Sequence, residues 1–92
     1  MNYELKTHYE GADLFLQFGA KPKASLQING VERETLTAGQ ALATLKLTSV
    51  VQTGYEYHEH IEATVSYAAD TIDASIRAGE KELISTSINR AD

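Results

Sequence analysis

The sequence predicts an α+β domain, made mostly of antiparallel strands (about six to seven) with one short helix packed on one face. Three observations lead there. Residues 55–67 alternate apolar and polar side chains, placing Tyr55, Tyr57, Ile61, Ala63, Val65 and Tyr67 on one face of an extended strand and Glu56, His58, His60, Glu62, Thr64 and Ser66 on the other. An Asn29-Gly30 pair stands between alternating flanks, the signature of a tight hairpin. Residues 36–45 switch from a two-residue period to helical spacing.

Along the chain, residues 3–9 alternate (Tyr3, Leu5, Thr7, Tyr9 against Glu4, Lys6, His8), and residues 13–18 place Leu14, Leu16 and Phe18 on one face. Two opening strands joined around Glu10, Gly11 and Ala12 are expected. Residues 19–23 hold the single proline, Pro22, and read as a turn. The Asn29-Gly30 pair suits a type I′ turn, because both residues tolerate positive φ, so residues 24–28 and 31–34 should form a hairpin. Thr37, Ala38, Gly39 and Gln40 match a capping box, Leu36 and Ala41 a hydrophobic staple, and Ala38, Ala41, Leu42 and Leu45 an apolar helical stripe. A helix of two to three turns is expected, too short to stand alone in water and therefore docked on the sheet. Residues 47–52 are apolar and β-branched, residues 71–78 alternate, and residues 82–89 are rich in Ser, Thr and Ile; with the long strand the last two make a three-stranded antiparallel meander.

The long strand carries a further expectation. Thirteen extended residues reach about 43 Å, against a diameter of about 32 Å for a compact chain of this size. Glu59 also occupies an inward slot, which is costly for a carboxylate. A bulge or an exit from the core is therefore expected between Tyr57 and Ile61.

Ninety-two residues suit one compact domain, and no repeat, linker or low-complexity tract divides the chain. Cysteine is absent, which removes disulfides, thiolate metal sites and a cysteine nucleophile and favours a reducing cytoplasm. No apolar run reaches the length of a membrane span and the first residues lack the order of a signal peptide, so a soluble cytoplasmic protein without membrane attachment is expected. Thirteen acidic against eight basic side chains give a net charge of -5. This disfavours direct nucleic-acid binding, since Lys21 and Lys23 form the only local basic cluster. It suits docking on a basic partner.

Catalytic patterns are weak. None of the serines sits in a nucleophile elbow, the glycines are isolated turn residues rather than a phosphate loop, and no cofactor is implied. The expectation is a protein without enzymatic activity. His58 and His60, at i and i+2 on one strand face with Glu56 and Glu62 beside them, could place two imidazoles on a metal. This spacing is similar to the H-x-H of cupins, small β-barrel metalloproteins, over those two residues alone. Glu62 comes too soon for that pattern and no histidine follows His60, so His8 would have to complete a site.

The leading expectation is thus a binding module, of the inhibitor or accessory type known from phages and mobile elements, that contacts a basic protein through Tyr55, Glu56, Tyr57, His58, Glu59, His60 and Glu62. Tyrosine offers large contact area at little rotamer cost, and the carboxylates would select basic partners. Two alternatives stand beside it. One is self-assembly through the uncharged last strand, with a homodimer as its simplest form; the other is a metal-dependent protein built on His58 and His60.

Overall fold

The computed structural model describes residues 2–52 and 57–90, and in them the chain is all β. Eight strands form two four-stranded antiparallel sheets: β1 (Asn2–Tyr9), β2 (Ala12–Gly19), β3 (Lys23–Ile28) and β4 (Val31–Thr37) in order in one, and β5 (Ala43–Gln52), β6 (His58–Tyr67), β7 (Thr71–Ala78) and β8 (Lys81–Asn89) in order in the other. Every strand neighbours its successor, so the chain runs up and down throughout, with β4 beside β5 and β1 beside β8 where the sheets meet.

No helix forms among the described residues, which corrects the α+β expectation and its strand number. The helical stripe loses because its residues serve the two-residue period better. Leu36 ends up in β4 against the core, and Leu45, Leu47 and Val51 are buried in β5, while Leu42 is 57% exposed. Gly39, in the first turn of that helix, is a poor helix former, and so short a helix has little margin to absorb it. The Ala38 amide instead donates to the Pro22 carbonyl at 2.9 Å, extending the β3 and β4 ladder.

Elsewhere the periodicity decides the faces. Ile61, Ala63, Val65 and Tyr67 are buried and His58 and His60 exposed, as a half-buried strand requires. Leu14, Leu16 and Phe18 from β2, Leu26 and Ile28 from β3, and Ile72 and Ile76 from β7 complete a core whose fully buried members are all apolar but for the Tyr67 hydroxyl. Both early hairpins turn on positive φ at two successive residues, Glu10 (49°) with Gly11 (84°) and Asn29 (52°) with Gly30 (81°), the type I′ geometry.

The sheets also repeat one plan, in contrast to a chain read as free of repeats. The inward row Leu5, Leu16, Leu26 and Glu34 corresponds to Leu47, Ala63, Ile76 and Ile84. Each sheet has a register shift at the same place, directly after Leu26 and after Ile76. Ala24, Ser25 and Glu32 recur 50 positions later as Ala74, Ser75 and Glu82.

The molecule is elongated, 46 × 20 × 19 Å. A long strand therefore lies straight along it, and β6 pairs with β5 from His58 to Tyr67 without a register shift. Of the expected bulge or exit from the core, no bulge appears in this pairing. β7 joins only at Ile61, so His58, Glu59 and His60 pair with β5 alone.

Side chains join the two sheets. At the β4/β5 seam the Thr48 amide donates to Glu34 Oε1 at 2.9 Å. At the end holding the β6–β7 turn, the Tyr67 hydroxyl donates to the carbonyls of Gly19 (2.8 Å) and Lys23 (3.3 Å) in the other sheet. The Arg90 guanidinium lies 5.3 Å from the Tyr67 ring centroid and donates to the Ala41 and Ala68 carbonyls. Four segments distant in sequence are thereby fastened at one end.

Candidate functional site

The opposite end holds the β1–β2, β3–β4 and β7–β8 turns and the connection between β5 and β6. Here the β5/β6 arm outruns β7, and a shallow groove opens beside it, lined by Glu10, Ala12, Asn29, Arg33, Val50 and Gln52. The turns make its walls rigid. Asn29 Oδ1 accepts from the Asp13 amide at 2.9 Å while the Asn29 amide donates to the Asp13 carbonyl at 2.8 Å, locking two neighbouring hairpins together. The Gly79 amide donates to the His60 carbonyl at 2.9 Å, tying the β7–β8 turn to β6.

Strand parity divides the segment singled out in the sequence. His58 and His60 stand exposed on the outer face, opposite Gln52 and Val50 of β5. Glu62 shares that face two residues on, half-buried and opposite Thr48 and Arg77. Tyr57 is 73% exposed at the mouth of the arm. Glu59 turns inward as its slot demands, against Gly79, whose φ of +60° and missing side chain leave room for the carboxylate. It also lies close enough to Tyr9 to act on it: burial, then Glu59, then Glu10 push the Tyr9 hydroxyl above its usual pKa. Tyr55 and Glu56 lie outside the described residues.

Its described residues are thus divided between two faces, and other elements stand beside them. Val31 is 54% and Val50 42% exposed, both at this end, and with Tyr57 they are three of the four large exposed hydrophobics among the described residues. The even spacing of Leu45, Leu47 and Val51 could have revealed Val50 as outward; Val31 is exposed because it directly follows the Asn29-Gly30 turn. Around them stand Glu10, Glu32, Glu80 and Glu82, with Arg33, Arg77 and Lys81 as the opposing charges; Arg77 stands opposite Glu82 and donates to the Glu80 carbonyl at 3.0 Å. Lys21, Lys23 and Arg90 lie at the other end.

His8 does not join His58 and His60. It projects from the outer face of the first sheet, where its Nδ1 meets Asp13 Oδ1 at 2.7 Å, while His58 and His60 project from the outer face of the second. The described residues hold no cluster of three or more His, Cys, Asp or Glu side chains placed to bind a metal ion. Among the described residues, His8, His58, His60 and Glu62 are thus not brought together as a ligand set, and Glu56 lies outside them. Compared with protein-family models, curated proteins and solved structures, the chain matches none. What the site can do rests on its own geometry, which is that of exposed apolar side chains among carboxylates that outnumber the neighbouring cations.

Proposed function

We propose that this protein is a non-catalytic binding module that docks a basic segment of a partner protein on the end formed by Val31, Val50, Tyr57 and the groove beside them. The observation that carries the reading is the gathering of these exposed apolar side chains at one end, where five carboxylates (Glu10, Glu32, Glu59, Glu80 and Glu82) outnumber the three cations Arg33, Arg77 and Lys81. Apolar anchors, tyrosine above all, supply most contact energy at protein interfaces, while a rim of one charge sign selects and steers the partner. Hairpin turns held by mutual hydrogen bonds present such a surface with little ordering left to lose on binding. His58 and His60, exposed next to Gln52 and Val50, extend it along the outer face.

A photo-crosslinking residue tests the proposal when placed at Tyr57 and, separately, at Lys21 on the far end, in extracts of the native host. Discrete protein adducts from position 57 that are missing from position 21 support it. The same adducts from both positions, or from neither, refute it.

A further inference from the structure

Of the four edge strands, β8 has the longest uncharged run, seven residues from Leu83 to Asn89 against six in β5 from Leu47 to Gln52. Each of the four edge strands, β1, β4, β5 and β8, is hydrogen bonded along one side only. Three of them carry charged side chains within the strand: Glu4 and Lys6 in β1, Glu32, Arg33 and Glu34 in β4, and Lys46 in β5. Such charges keep an edge from pairing with another chain. β8 has Lys81 and Glu82 only at its start, and from Leu83 to Asn89 it is uncharged.

The repeat between the sheets sharpens this difference. At the β4/β5 seam, Glu34 reaches across to cap the Thr48 amide. The position equivalent to Glu34 in the second sheet is Ile84, and the position equivalent to Thr48 is Lys6 of β1. An isoleucine cannot accept that hydrogen bond. The β8/β1 seam thus lacks the cap, and β1 runs beside β8 without forming a ladder with it. A row of strand amides and carbonyls is left without a protein partner, flanked by side chains of high β propensity.

The geometry points to a second copy of this chain as the occupant, with β8 pairing antiparallel to β8 about a two-fold axis through Thr86. The sequence is self-complementary in that register. Ile84 faces Ile88 of the second copy, Ser85 faces its Ser87, and Thr86 faces Thr86, so two Ile–Ile pairs flank a Thr–Thr pair on the core face while serine hydroxyls meet on the outer face. Cross-strand pairs of both kinds stabilise a sheet, and no like charges oppose one another. Two four-stranded sheets become one of eight strands, and the two-fold closes the assembly. The docking ends then point in opposite directions, each open to its own partner.

Ser85 and Ser87 are exposed on the outer face, so substitutions there test pairing without touching the core. Sedimentation should find the wild type at twice the 10.1 kDa chain mass. The S85K/S87K variant sets lysine against lysine across the axis and should sediment as a folded monomer, with dimer dissociation raised at least tenfold. The S85E/S87K variant sets glutamate against lysine in the same register and should restore the dimer. A monomeric wild type, a dimer that survives S85K/S87K, a folded S85E/S87K monomer, or assembly that continues beyond the dimer would each overturn the inference, and circular dichroism of each variant checks that it is folded.

Discussion

Tyr67→Phe removes one oxygen atom from the fastening between the two sheets. The Tyr67 hydroxyl donates to the Gly19 carbonyl at 2.8 Å and lies 3.3 Å from the Lys23 carbonyl, while the ring packs in the core beneath Arg90. Phenylalanine keeps the ring and the Arg90 contact, so the loss is confined to the hydrogen bonding. A buried hydrogen bond of this kind contributes about 1 to 1.5 kcal/mol net. For a domain of this size that lowers Tm by about 5 to 10 °C. Tyr3→Phe is the control: Tyr3 contacts Phe18 through its ring, with centroids 5.5 Å apart, and should change stability by less than about 0.5 kcal/mol. Calorimetry of both variants reads the difference, and a Tyr67→Phe protein as stable as Tyr3→Phe would refute the fastening. The same hydroxyl sets an alkaline limit. Burial raises its pKa above the ordinary 10.0, so the folded state holds this proton more tightly than the unfolded chain does. Its contribution is complete below pH 10 and is lost as pH rises through the raised value. Stability should therefore fall above pH 10, and less steeply in Tyr67→Phe, with Tyr9 retaining its own share of the decline.

Glu34→Ala should cost about 1 to 2 kcal/mol by uncapping the Thr48 amide, and hydrogen exchange at Thr48 should accelerate about tenfold relative to neighbouring β5 amides. Gly79→Ala should cost about 1 to 2 kcal/mol for its φ of +60°. Because the new methyl group would also displace the Glu59 carboxylate, the Tyr9 hydroxyl should titrate closer to its ordinary pKa, which ultraviolet absorbance follows.

Most strands and nearly all core positions were legible as two-residue periodicity, because a strand with one wet face must alternate. Asn29-Gly30 likewise announced its turn, since few residue pairs accept two successive positive φ values. Over residues 36–45 two local patterns compete. Thr37 through Gln40 offer a helix cap, yet Leu45, Leu47 and Val51 offer a strand that fills the core opposite β6, and burial outweighs a cap. The helical pattern also masks the division into two sheets, since β5 is the strand that begins the second. The site was only half legible for a similar reason. The alternation located His58, His60 and the inward Glu59, but Val31, Val50, Glu10 and Glu80 come together only once four separate connections share one end of the molecule. Strand spacing says nothing about which turns become neighbours.

The association rate of the partner captured at Tyr57 tests the central claim most directly, measured at low and at physiological salt for the wild type, E10K/E80K and K21E/K23E. Charge reversal at the docking end should slow association at least tenfold at low salt and flatten its salt dependence, while reversal at the far end should leave it unchanged or faster. Equal rates for the wild type and E10K/E80K would contradict a docking end chosen by its carboxylates.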